Sequence, residues 1–250
     1  MRIPEGQVTS ILLLGATSDI ALAIARRCVA AKPQVALAAR SVGRLEADAQ
    51  DIRIRYGSEV ALHEFDVLDV EQHAKFLDSL GELPDLVVCM VGLMEPQAEL
   101  SVNSASARRV IETNYVAPAL LIGEIANRME ARNRGTIVGV SSVAGDRGRA
   151  SNYIYGSAKA GFTAFLSGLR ARLSRSAVHV LTVKPGFVAT RMTAGMKLPR
   201  LLTAQPDEVA EAILRAVRKR QDVIYVKPIW RVIMGLTRMM PERKFKTLKF

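Results

Sequence analysis

The chain has 250 residues, 49% of them hydrophobic, and carries 35 Lys and Arg against 24 Asp and Glu, for a net charge of +11. Such a chain buries a full core in one α/β domain. Cys28 and Cys89 form no C-x-x-C pair or disulfide framework, and His63, His73 and His179 are too scattered for a metal site, so a disulfide scaffold and a metalloprotein are excluded.

Residues 1–7 lack the pattern of a signal peptide, and no run of about 18 uncharged apolar residues occurs, so a cytoplasmic protein is expected rather than a secreted or membrane-spanning one. The excess positive charge admits nucleic acid, an anionic membrane surface, or an anionic cofactor or substrate. Nucleic acid is disfavoured, because no zinc-binding or stacking module is present and only 5% of residues are aromatic.

Residues 8–14 are a short apolar run ending at Gly15, as a buried parallel strand should. Leu22, Ile24, Ala25 and Cys28 then recur with helical periodicity. Strand, glycine turn, helix is a geometry in which a helix N-terminus offers free N–H groups to a pyrophosphate, and it places Gly15, Thr17, Ser18, Asp19 and Ile20 there. Taken alone, one glycine after a strand is equally a plain turn. A carboxylate would repel the phosphates, so Asp19 is expected to turn away and cap the helix.

Residues 34–41 form the second strand, and Ala39-Arg40 stands where dinucleotide folds read the adenosine ribose. No acid is present to accept from two ribose hydroxyls. Arg40, helped by Arg44, favours NADP(H) over NAD(H); in the alternative, Arg40 stacks on adenine and leaves the choice open. Residues 59–67 and 84–92 read as the third and fourth strands, ending near Asp66-Val67 and at Gly92. From 103 to about 133 the pattern is helical, with Pro118 expected to kink or restart it soon after Asn114, a kink freeing a backbone carbonyl.

The apolar run 136–140 leads into Ser141-Ser142, and a helix over 152–174 sets Tyr155 and Lys159 one turn apart on one face. A phenol titrates near pH ~10, and a cation a few ångströms away favours its ionised form, drawing Tyr155 toward working pH. Ser142 at the strand end is placed to hold a carbonyl oxygen while Tyr155 protonates it. On its own, Tyr-x-x-x-Lys is equally ordinary helix surface.

Residues 178–184 form the sixth strand, stopped by Pro185-Gly186. The stretch 191–205 is rich in loop formers and reads as a substrate lid lined by Met192, Met196 and Leu198, or as a plain surface loop. An amphipathic helix over 206–219 and a last strand over 223–226 complete a domain of residues 1–226. In the extension 227–250, a helix puts Arg231, Gly235 and Arg238 on a narrow stripe beside a broad apolar face, and Arg243, Lys244, Lys246 and Lys249 then cluster among Phe245, Leu248 and Phe250. Too short to cross a bilayer, it suits an interfacial helix with a basic rim; the alternative is a tail docked on its own subunit or a neighbour.

The turn at Gly15, Ser142 thirteen residues before Tyr155-x-x-x-Lys159, and Pro185-Gly186 together resemble the short-chain dehydrogenase/reductase family from about residue 8 to 226. The resemblance implies a single-domain doubly wound parallel sheet, a Rossmann fold, and NAD(P)-dependent conversion between a ketone and a secondary alcohol. It implies Tyr155 as catalytic acid/base, Lys159 also binding the nicotinamide ribose, Ser142 orienting the substrate, and Asn114 completing the set through a water relay. It further implies an adenine contact at Asp66-Val67, a nicotinamide clasp at Pro185, Val188 and Thr190, and a homodimer or homotetramer formed by the helices bearing Asn114 and Tyr155. Two motifs depart from the family pattern: Asp19 and Ala21 replace the second and third glycines of Gly-x-x-x-Gly-x-Gly, and Cys89-Met90-Val91-Gly92 keeps only the glycine of Asn-Asn-Ala-Gly.

Within the family, Gly-x-Thr-Ser-x-Ile from Gly15, Ser-Ser-x-Ala-Gly-x-Arg from Ser141 and the apolar basic tail resemble reductases of polyprenyl-phosphoryl keto-pentose sugars. That implies an apolar or lipid-linked anionic ketone and contact with the inner face of a membrane; the tail also fits reductases of acyl, steroid or other lipid ketones. The lost glycines raise a rival, a catalytically silent dinucleotide sensor, which has no need of Asn114, Ser142, Tyr155 and Lys159 together.

Overall fold

Apolar runs with no polar face to turn to water are stable only when covered on both sides, the condition of an inner strand in a parallel sheet. The computed structural model describes residues 8–28 and 33–248 and builds such a sheet from those runs. The first part of the chain forms β1 (Ser10–Leu14), α1 (Asp19–Cys28), β2 (Gln34–Ala39), α2 (Glu46–Tyr56), β3 (Val60–Glu64), α3 (His73–Ser79) and β4 (Leu86–Cys89). Then come α4 (Gln97–Val102), α5 (Ser104–Ile111), α6 (Ala117–Ala131), β5 (Thr136–Val140), α7 (Tyr153–Arg172) and β6 (His179–Pro185). The chain continues through β7 (Phe187–Val188), β8 (Thr203–Ala204), α8 (Pro206–Arg218), β9 (Val223–Val226), α9 (Ile229–Met239) and α10 (Glu242–Phe245). Residues 1–7 and the tail residues Lys249 and Phe250 lie outside the described residues.

Seven strands pair in parallel in the order β3-β2-β1-β4-β5-β6-β9, with β7 and β8 as a separate short pair. Because side chains alternate across a strand, Ile11 and Leu13 enter one core with α1, α2 and α8, while Leu12 and Leu14 enter the other with α3, α6 and α7. Helices therefore cover both faces, the doubly wound Rossmann arrangement that the strand pattern calls for. The strand order reverses at β1, whose neighbours are β2 and β4, so the chain leaves these carboxyl ends in opposite directions and opens a crevice. Among the described residues no helix is long and apolar enough to cross a membrane.

Residues 103–133 are not one helix kinked at Pro118; the α-helix restarts there as α6, the other outcome that the proline allowed. Pro118 sits unstrained in the first turn of α6, and the irregularity is a π-turn over Glu112–Val116, with one residue more than an α-turn holds. Its position follows from chemistry: the Asn114 amide donates to the Val110 carbonyl at 2.8 Å, so the side chain takes over a backbone acceptor one turn back. No water is needed to satisfy that carbonyl.

The apolar face of α9 is divided. Trp230 and Met234 are buried with Val143, the indole donates to the Leu202 carbonyl at 3.0 Å, and its ring lies so close over Gly186 that a Cβ there would come within 2.0 Å. Gly186 is thus required by contact. The remaining stripe, Ile229, Val232, Leu236 and Met239, is exposed. Arg147 fastens the end of this segment: it donates to the Thr237 and Met240 carbonyls, pairs with Glu242 at 2.9 Å and stacks 3.8 Å over Phe245. The extension docks on its own chain and still presents an apolar surface.

Candidate active site

A cleft of about 550 Å³ opens at the carboxyl ends of β1, β2, β4, β5 and β6. Its first wall is the turn after β1. Gly15 has φ +78°, and a Cβ there would crowd the Val91 nitrogen at 3.1 Å, so the turn can lie against the end of β4 only as glycine. Thr17, Ser18, Asp19 and Ile20 follow along the cleft, where the N-terminus of α1 gives the favourable end of a helix dipole.

Asp19 does not cap α1. It is the first residue of the helix, and its carboxylate accepts from the Arg191 backbone N–H at 2.9 Å and from Arg191 Nε at 3.0 Å. Arg191 Nη2 donates in turn to the Thr17 carbonyl. The acid is neutralised by a strap from 172 positions away, which removes the repulsion that its place in the glycine motif would otherwise create.

Arg40 and Arg44 line the cleft beyond β2, and Asp66 and Val67 line it beyond β3. Asp66 is held by accepting from the Leu68 N–H at 3.0 Å, and the Val67 carbonyl contacts His73 Nε2 at 2.8 Å, so this wall is fixed from behind. Pro185, Val188 and Thr190 line the cleft as well. The Val188 carbonyl accepts from Thr193 Oγ1 at 2.6 Å, and Thr190 and Thr193 cap each other, so this segment is tied by its own side chains. Met192 and Met196 reach the cleft; Leu198, expected with them, is not among its lining, because the chain has turned away by then.

Ser142, Tyr155 and Lys159 meet at the inner end. The Ser142 hydroxyl accepts from the Ala144 N–H at 3.1 Å and hydrogen-bonds the Tyr155 phenol, while Lys159 Nζ lies 5.8 Å from the phenol ring centroid and donates to the Val140 carbonyl at 3.2 Å. Tyr155 and Lys159 do share a helix face, as their spacing requires. The electrostatic expectation is reversed, however: burial pushes the phenol up to about 12 against the lowering effect of Ser142, and burial pushes the Lys159 amine down to about 8. The amine is turned to the sheet, and both groups lose water before they gain each other.

This burial couples Lys159 to stability with a definite sign. An unfolded lysine keeps its proton to about pH 10.4. Between pH 8 and 10.5 the unfolded chain therefore binds a proton that the folded chain has released, and stability rises with pH across that window; below it the charged buried amine costs the folded state in full. Lys159→Met is expected to raise Tm at pH 7 by about 2–4 °C for each kcal/mol recovered, to flatten the rise above pH 8, and to cost activity. Thermal denaturation at pH 7 and 10 checks it, and an unchanged slope would contradict it.

Asn114 is buried and stands behind the wall. Its Nδ2 also donates to the Leu93 carbonyl at 2.6 Å and its Oδ1 accepts from the Leu93 N–H at 3.3 Å. A Cβ on Gly92 would approach that oxygen at 3.2 Å and Lys159 Nζ at 3.5 Å, so Gly92 lets the strand end lie flush on both groups. Asn114 thus braces residues 92–93 against the π-turn.

These walls suit a dinucleotide: a helix N-terminus and two arginines along one length, and two glycines whose missing Cβ atoms make the cradle. Residues 9–200 match the family model described as short chain dehydrogenase. The chain belongs to this family.

An uncharacterized oxidoreductase of Mycobacterium tuberculosis is 36% identical to this short-chain dehydrogenase/reductase over 236 residues, 93% of this chain and 94% of that protein. Among solved structures, a short-chain dehydrogenase from Sphingobium yanoikuyae in complex with NADPH has a TM-score of 0.79 at 24% identity, covering 93% of this chain and 97% of that one. A 3-oxoacyl-[acyl-carrier protein] reductase from Brucella melitensis with bound NAD has a TM-score of 0.77 at 22% identity, covering 90% of each chain. At these identities the likeness is one of fold, and the family membership makes the protein an oxidoreductase.

Several lining residues of this dehydrogenase/reductase escape sequence reasoning. Met94, Arg149, Asn152 and Trp230 all border the cleft. Trp230 arrives from the tail, and Arg149 and Asn152 from the loop before α7. None sits at a spacing that points to the site; the docking of α9 brings in Trp230, and the fastening of the 146–149 loop brings in Arg149 and Asn152.

Proposed function

We propose that this dehydrogenase/reductase transfers hydride from NADPH to a ketone, giving a secondary alcohol. The observation that carries the proposal is the Ser142–Tyr155 hydrogen bond with Lys159 beneath it, at the inner end of a cleft whose β2 edge offers Arg40 and Arg44 and no acid. The dinucleotide, held along Gly15, Thr17, Ser18, Ile20, Arg40, Asp66, Val67, Gly92, Pro185, Val188 and Thr190, supplies the hydride. Ser142 holds the carbonyl oxygen, and Tyr155, whose burial keeps the phenol protonated well beyond working pH, donates the proton. Lys159 adds positive charge beside the phenolate that results, and Asn114 keeps the floor of the site rigid.

The substrate in this reading is apolar or lipid-linked, such as a polyprenyl-phosphoryl keto sugar of the kind reduced by decaprenylphosphoryl-2-keto-erythro-pentose reductase. Met94, Met192, Met196, Phe187 and Trp230 support it by giving the outer cleft an adaptable apolar surface. The exposed stripe of α9, with Arg231, Arg238, Arg243 and Lys244 nearby, supports peripheral contact at the inner face of a membrane. Exposed Ile111, Val116 and Leu120 on the Asn114-bearing segment support a homodimer or homotetramer, which sedimentation at the mass of one chain would remove.

The test compares NADPH with NADH as hydride donor, using long-chain ketones free and in anionic vesicles. NADPH is expected to give the higher kcat/KM by about tenfold, the effect of about 1.4 kcal/mol from pairing an arginine with the 2′-phosphate. The enzyme is expected to sediment with the vesicles. Equal use of NADH would remove the cofactor choice, and enzyme left in the supernatant would remove the membrane contact.

A further inference from the structure

Arg149 lies on the loop that joins the turn Val143–Gly145 to α7, and its side chain borders the cleft with Ser142, Asn152 and Tyr155. Its Nε and Nη2 are closed off from solvent and have no hydrogen-bond partner among the described residues. Those two nitrogens form the edge of a guanidinium that makes two parallel hydrogen bonds with a carboxylate or a phosphoryl group. The carboxylates that could have claimed the edge are committed elsewhere. Asp146 accepts from Lys184 Nζ at 2.5 Å and from the Tyr225 hydroxyl at 2.8 Å, Glu242 pairs with Arg147, and Asp19 with Arg191.

The loop is also fixed in place. Asp146 is bound from β6 and β9, and Arg147 grips the end of α9, so Arg149 follows two anchored residues and is held ready. Beside it the Asn152 Oδ1 is buried without a donor, an acceptor suited to a hydroxyl of the same ligand. The nearby Asp146 charge offsets part of the cost of burying Arg149 but gives its Nε and Nη2 no hydrogen bond, and a donor edge left open in this way is costly and is retained where a ligand completes it.

We propose that Arg149 is a specificity-determining residue that holds an anionic oxyacid group, carboxylate or phosphoryl, of the ketone substrate while the carbonyl lies at Ser142 and Tyr155. The proposal rests on the reading of this cleft as a ketone-reducing site. It makes the substrate bipolar: a ketone near an anion, with an apolar remainder among the methionines and Trp230.

The experiment uses the full-length protein, with Arg149→Met and Arg149→Lys, and has two arms. In the first, kcat/KM is measured for a keto acid and for its neutral methyl ester. The ratio of the two is expected to fall about 10- to 100-fold in Arg149→Met, the fold-change for losing a charged hydrogen-bonded pair, and to recover in part in Arg149→Lys. In the second arm, octyl phosphate and octanoate are titrated against fluorescence of Trp230, the sole tryptophan, in the Tyr155→Phe background that does not turn over. Tighter binding of either anion to Tyr155→Phe alone than to the double variant Tyr155→Phe with Arg149→Met supports the proposal, and the tighter of the two anions tells phosphoryl from carboxylate. An unchanged ratio with equal titrations overturns it. If no ketone is reduced while anion binding still depends on Arg149, the redox reading fails and the anion site stands.

Discussion

Tyr155→Phe is expected to bind NADPH within about threefold of the parent and to lose about 10³-fold in kcat, within the range of about 10²–10⁴ that a positioned proton donor contributes. The substitution removes one oxygen and keeps the ring, so Lys159, Gly92 and the turn at Gly15 keep their contacts. In the reducing direction the ketone oxygen needs a proton as the hydride arrives, and a phenol raised to about 12 holds that proton throughout the neutral range. Lys159, lowered to about 8, is expected to set the alkaline limit. Below that pH its charge offsets the forming phenolate, and kcat/KM for reduction should fall as pH rises through it. Fluorescence titration with NADPH and a pH series of initial rates check both parts; a Tyr155→Phe enzyme with the parent's kcat would remove Tyr155 as the donor.

Asp146→Ala is expected to cost about 3–5 kcal/mol, the effect of leaving a buried charge unpaired. Asp146 is the acid that Lys184 and Tyr225 both use, and its pair with Lys184 has side-chain exposures of 8% for the lysine and 2% for the acid, so water cannot replace the missing partner. The same loss frees the loop that carries Arg149, so activity falls with stability. Removing the lysine as well, as Asp146→Ala with Lys184→Met, should recover most of the stability, because the stranded ammonium goes with its partner. Urea denaturation of the single and double variants measures the coupling. A single variant within about 1 kcal/mol of the parent would show that the pair behaves as a solvated surface pair does.

The legible features are those whose cause is local. Each inner strand is an apolar run of a few residues, Gly15 and Pro185-Gly186 mark where strands stop, and Tyr155 and Lys159 are one turn apart by arithmetic alone. The doubly wound sheet follows from that alternation of strand and helix. What the sequence conceals is pairing at long range. Asp19 reads as a helix cap because nothing nearby announces Arg191. Lys184 looks like a strand-end lysine until Asp146 and Tyr225 are folded onto it.

The electrostatics of the pair at Tyr155 and Lys159 escape the sequence for a related reason. Spacing gives proximity but not desolvation, and the direction of the amine toward Val140 depends on where α7 lies on the sheet. Pro118 draws attention away from the π-turn because proline is visible in a sequence and a side chain bonding its own helix is not. The tail docks through one face and leaves another exposed, since eleven residues of α9 have room for one face on the protein and another on the outside, and its pattern in the sequence does not say which face is covered.

The most direct measurement follows deuterium from the nicotinamide C4 of labelled NADPH into product, with keto acids, keto phosphates and neutral ketones offered in turn. One deuterium on the carbinol carbon, formed by the parent and lost in Tyr155→Phe, is the expected result. A chain that binds the labelled cofactor firmly yet delivers no deuterium to any of these ketones would contradict the reductase assignment and leave a dinucleotide sensor in its place.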